Sequence, residues 1–200
     1  MTYTQESIFN SALIHLGVSA TVQNLEDKNT RTIVLKNQYD LAKEVTMKDF
    51  DWGFLNRVKE LTPSVEKSND PRYRYAYDYP NDCLFARYLI DTEKGDYHKY
   101  DISTNASGQK IILCNVSPAK LSYTRLLTET RPEALYTAEF VLALSYYLAY
   151  LCAEAITGSA NKKQTSLQGY HWALAKAKAL NANESSANDE DKTTYLDARN

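Results

Sequence analysis

Asp51-Trp52-Gly53-Phe54 and Tyr75-Ala76-Tyr77-Asp78-Tyr79-Pro80-Asn81-Asp82-Cys83-Leu84 are the two stretches at which this 200-residue chain changes character. Before the first, apolar residues recur at helical spacing. Phe50, Trp52 and Phe54 then recur with a period of two. Side chains alternate across a strand but share a helix face every three to four residues, so the first stretch marks a switch from helix to extended chain. The second opens a predicted strand over residues 84–90.

Working outward, residues 4–16 read as a helix with Ile8, Ala12 and Leu16 on one face and Gly17 placed to end it in the left-handed conformation. Thr2 with Gln5 can form a capping box, and Thr4 is a rival cap. A second helix over 29–48 carries Leu35, Tyr39, Ala42 and Val45 on one face. From 55 to 127 prolines punctuate short runs. Strands are expected over 84–90, 97–102, 110–116 and 120–126, with a turn at Asn105-Ala106-Ser107-Gly108, giving an antiparallel insertion of four to six strands.

Beyond it, Thr130-Arg131-Pro132-Glu133 reads as a capping box and Thr157-Gly158 as a stop. The helix between them is apolar nearly all round, which requires burial on more than one side. A last helix over 162–181 carries Leu167, Tyr170, Leu174, Ala177 and Leu180 as its stripe. The expected fold is α+β: a helical bundle built from residues 1–52 and 129–182, an antiparallel β insertion over 53–128, and a flexible C-terminal tail over 183–200. That tail is polar and acidic, then ends in Tyr195-Leu196-Asp197-Ala198-Arg199. A mobile spacer followed by anchors suits docking, and a frayed terminus is the other reading.

Composition limits the function classes. The net charge is −2, so a broad phosphate-gripping surface is not implied. Sixteen tyrosines suit either interfaces or ordinary strands and core. Cys83, Cys114 and Cys152 are too few and too scattered for a disulfide or zinc framework, consistent with synthesis in a reducing cytoplasm. The N-terminus has no signal pattern. The longest charge-free apolar run, residues 140–153, falls short of the roughly twenty residues of a bilayer span, so a buried helix and no membrane anchor is expected.

No catalytic cluster, cofactor loop or metal set emerges. Glycines at 17, 53, 95, 108, 158 and 169 assemble no phosphate loop or nucleophile elbow. Cys83 with His98 is the best candidate for a Cys-dependent enzyme, without an orienting third group. His15 and His171 have no second ligand at i+3 or i+4. Glu139 and Glu154, fifteen residues apart on one helix, are separated by about 22 Å, beyond any shared acid–base role. Arg72 and Arg74, interleaved with Tyr73, Tyr75, Tyr77 and Tyr79, could stack nucleic acid, but Asp70, Asp78 and Asp82 oppose that field. Trp52 and Phe54 either seal a junction between lobes or contact a partner, and Tyr77 and Tyr79 suit an interface.

The order of these features resembles the tail tubular protein A family, the head-to-tail adaptors of short-tailed bacteriophages. The carriers are Asn10-Ser11-Ala12-Leu13 with Gly17, Leu25-Glu26-Asp27, Trp52-Gly53-Phe54 with Arg57, Pro80-Asn81-Asp82-Cys83-Leu84, Leu121-Ser122-Tyr123-Thr124-Arg125, and Asp197-Ala198-Arg199. They span almost the whole chain in order. The family often has Asn-Phe-Ala after the Trp and Leu before the Pro, where this chain has Gly53-Phe54-Leu55 and Tyr79. The resemblance implies a structural virion protein: a homo-oligomeric connector ring, a dodecamer, between portal protein and tail nozzle. DNA would cross its lumen during ejection without sequence-specific binding. Tyr195, Leu196 and Arg199 are then candidates for docking on the portal.

Overall fold

A computed structural model describes residues 3–19, 21–66 and 70–186. The chain is α+β, with four helices and two antiparallel sheets. It divides into two compact units, one of residues up to Thr46 with those from Glu133 onward, the other Met47–Pro132.

In the first unit, α1 (Gln5–His15) starts at Thr4, whose hydroxyl accepts from the Ser7 N–H while Ser7 caps in return. Thr4 and not Thr2 is therefore the cap. Gly17 follows at φ 67°, the left-handed turn that glycine adopts without a Cβ clash. Ile8, Phe9, Ala12 and Leu13 are buried, and α1 packs on α3 (Ala138–Thr157). On α2 (Thr30–Asp49), Leu35, Tyr39 and Ala42 are buried as expected, but the next buried position is Thr46, with Val45 half-buried. Tyr39 meets Phe9 edge-on at 5.5 Å.

The start of α3 differs from the sequence reading. Residues Pro132–Leu135 form a short 3-10 turn, and α3 begins only at Ala138, capped by Thr137. Glu133 does not cap a helix; it accepts a hydrogen bond from the Tyr39 hydroxyl at 3.3 Å. By length and composition α3 could cross a membrane; here it packs against α1 and α4 (Ala160–Ser186). Helix α4 extends through the first residues assigned to the tail. Its buried face is Ser166, Tyr170, Ala173, Leu174 and Ala177, whereas Leu180 is exposed. At Gly169 the two helices touch so closely that an added Cβ would fall within the Tyr146 ring.

The second unit has seven strands, more than the four to six expected. They are β1 (Asn56–Glu60), β2 (Tyr75–Asp78), β3 (Cys83–Asp91), β4 (Tyr97–His98), β5 (Tyr100–Thr104), β6 (Lys110–Cys114) and β7 (Ala119–Arg125). One sheet runs β1-β7-β3-β4, the other β2-β6-β5. The single strand expected over 97–102 is broken at Lys99, where the chain leaves one sheet for the other. Both sheets contribute to one core: Ala86, Leu89, Leu121 and Tyr123 from the larger, Tyr77, Ile112 and Cys114 from the smaller. The Tyr100 hydroxyl crosses that core to donate to the Ala86 carbonyl.

Strand β3 carries two register shifts against β7, and Arg87 lies in the second, between Ala86↔Tyr123 and Tyr88↔Ser122. A bulge re-aims the extra side chain. The Arg87 guanidinium donates to Thr124 Oγ1 and, through Nη2, to the Met47, Lys48 and Phe50 carbonyls at 3.2, 2.9 and 2.7 Å. These are among the carbonyls a helix end leaves unpaired, and a cation suits the negative end of the helix dipole.

Two outcomes test this packing. Gly169→Ala should cost about 1–3 kcal/mol in denaturant unfolding despite its better helix propensity, and Tyr146→Ala in the same chain should return part of the loss. Arg87→Ala should cost about 2–3 kcal/mol, with Arg87→Lys rescuing little, because a point charge cannot reproduce the planar fork.

Candidate interaction surfaces

Three separated sequence motifs converge at Asp82. Arg57 Nη1 donates to Asp82 Oδ2 at 2.6 Å, and the buried Tyr123 hydroxyl donates to Oδ1 at 2.9 Å. Burial pushes the Asp82 carboxyl up, but the bonds from Tyr123 and Arg57 outweigh it and hold it below the ordinary carboxylate range. The node joins the start of β3 to β1 and β7, a structural role.

Trp52 and Tyr77 are buried within the β unit. Trp52 meets Phe50 edge-on at 4.8 Å, and the Tyr77 hydroxyl donates to the Val116 carbonyl at 3.0 Å. Phe54 and Tyr79 are half-buried, Tyr79 beneath the Lys110 ammonium. Tyr195, Leu196 and Arg199 lie outside the described residues.

The chemical candidates are not brought together. Cys83 pairs with Arg125 at one end of β3, whereas His98 pairs with Leu89, six residues further along, a separation of about 20 Å. Burial pushes the Cys83 and Cys114 thiols up, and Cys152 to about 12, the opposite of what a thiolate nucleophile needs. Arg72 is held by Asp70 at 2.7 Å and Asp101 at 3.1 Å, which cancels the positive field a nucleic-acid strand would require. Among the described residues no group of three or more His, Cys, Asp or Glu is placed to hold a metal ion.

What the structure does present is exposed apolar surface. Phe85, Tyr88 and Ile90 on β3 oppose Thr124, Ser122 and Lys120 on β7, and Val58 opposes Ser122 from the other side. Tyr97 on β4 completes this outer face of the larger sheet. Val58, Phe85, Tyr88 and Tyr97 are exposed there, Tyr97 by 73%, and the Tyr88 and Tyr97 rings lie 5.2 Å apart. In the helical unit Trp172 on α4 is 56% exposed under Lys176. Sequence reasoning missed these residues, because an aromatic on a strand or helix looks the same whichever way it faces. A scan against protein-family models and a search of curated proteins return no match.

His15 occupies a distinct position. Its ring stacks on Tyr146 at 3.7 Å and 12°. Ser145 Oγ spends its one proton on the Leu142 carbonyl, so it accepts from His15, which assigns the proton to Nε2 at 3.0 Å. Burial lowers the His15 pKa. The unfolded chain therefore takes up the proton first. Stability contributed here is present above about pH 6.5 and declines as the pH falls below that value toward the folded-state pKa. Denaturant unfolding at pH 7.5 and 5 should show this decline, and His15→Phe, which keeps the stack, should flatten it.

Proposed function

We propose that this chain is a structural head-to-tail adaptor of a short-tailed bacteriophage. In this reading the four helices form a bundle from both chain ends, with the β unit as its insertion. Copies close into a ring, a dodecamer, between the portal protein and the tail nozzle. The ordered motifs set out above support the family resemblance. The single observation that carries the reading is the pair of unlike exposed surfaces, one on each unit: the aromatic sheet face around Tyr88 and Tyr97, and the Trp172 side of α4. Soluble monomers rarely leave such patches uncovered. A ring, unlike a two-fold dimer, joins two different surfaces of the same subunit. The net charge of −2 suits a lumen through which DNA slides without being gripped.

Mixing the purified chain with the portal protein of the same phage should give rings seated on the portal in electron micrographs. Tyr88→Ser/Tyr97→Ser should weaken that assembly at least tenfold, about 1.4 kcal/mol. A chain that never associates with its portal would remove the adaptor reading.

A further inference from the structure

Helix α4 has no Asp or Glu between residues 160 and 181 but four lysines. Two are accounted for locally: Lys163 pairs with Glu154 at 3.0 Å, and Lys162 lies beside Gly17. Lys176 and Lys178 face outward, one on each side of a shallow strip. Its floor is the exposed pair Ala175 and Ala179. One wall is the row Trp172, Lys176 and Leu180; the other is Lys178. Rows four residues apart are the ridges and grooves by which helices pack, and alanines in the groove allow a close approach.

On α2 the outward surface is the converse. Ile33, Asn37 and Leu41 form one exposed ridge at the same spacing, Ile33 and Leu41 being 46% and 51% exposed. The adjacent row presents Asp40 and Glu44. Asp40 also holds Lys43, whose ammonium turns away over the Tyr39 ring. An apolar ridge flanked by carboxylates thus faces outward on one helix, and an alanine groove flanked by lysines on another.

We propose that the α4 groove receives α2 of a second copy: the Ile33–Leu41 ridge of one copy lies along Ala175 and Ala179 of the next, with Asp40 and Glu44 against Lys176 and Lys178. This rests on the ring reading and names the contact that closes it. Because the two faces differ, each copy keeps one free after the first contact, so the chain propagates until it closes.

Leu41→Cys/Ala175→Cys in one chain, assembled with portal protein and mildly oxidised, should give a ladder of cross-linked multimers that neither single variant gives. Lys176→Glu/Lys178→Glu should reduce ring yield at least tenfold, and adding Asp40→Lys/Glu44→Lys to the same chain should restore it; circular dichroism melting verifies that each variant is folded. Rings that form without a ladder, or charge-reversed chains that assemble as well as the wild type, would overturn this contact while leaving the ring intact. A wild-type chain that neither assembles on portal nor cross-links would overturn both.

Discussion

The β unit depends on one buried acceptor. Strand β7 is central to the larger sheet, between β1 and β3, and Asp82 receives a bond from each flank: Arg57 of β1 and Tyr123 of β7 itself. Its own backbone carbonyl accepts from Leu126 at 2.7 Å, just past the end of β7. Side chain and main chain of one residue therefore fix where β3 begins against β7. Register matters here because a slip by one residue would turn Leu121 and Tyr123 out of the shared core and put Ser122 and Thr124 into it. A carboxylate is suited to the position because it accepts two charge-assisted or hydroxyl bonds at once, and burial strengthens both.

From that frame the second feature follows. With Cys83 to Asp91 pinned at the start by Asp82, the two extra residues of β3 must be absorbed within the strand, and the second irregularity delivers Arg87 to the end of α2. The same irregularity places Phe85 and Tyr88, three apart, on one face of the sheet. The bulge thus builds two things at once: the cap on the helix and the aromatic platform beside it. Arg87 also lies over the Phe85 ring at 4.7 Å, so the cap supports part of the platform.

Much of the fold was legible in the sequence, for reasons that can be named. The left-handed glycines at 17 and 158, the period-two switch after Phe50, and the long apolar stretch of α3 are local signals, and each is read from a few neighbouring residues. What failed was non-local. Thr130 to Glu133 has the letters of a capping box, but Glu133 is drawn to Tyr39, ninety-four residues away. Residues 97–102 have uniform strand character, and only the pairing partners reveal that Tyr97 belongs to one sheet and Tyr100 to the other. The candidate surfaces were the least legible. Leu180 fits the spacing of the α4 core stripe, yet α4 is longer than α3, twenty-seven residues against twenty, and its later turns have less partner to lie against.

The mode of association is constrained by the sheet edges as much as by the exposed faces. Strand β1 is exposed along its whole length and sits at an edge, the place where a second chain could add by backbone pairing. Three of its five residues, Arg57, Lys59 and Glu60, are charged, which discourages an unplanned strand from docking there. Association is thereby left to side-chain faces: the aromatic platform of the sheet and the outward rows of α2 and α4. Backbone pairing at an open edge is tolerant of sequence and prone to run on without limit. Side-chain ridges and grooves are not, because they fix both the partner and the angle at which it sits. A fixed angle repeated between unlike faces is the geometric requirement for a closed ring.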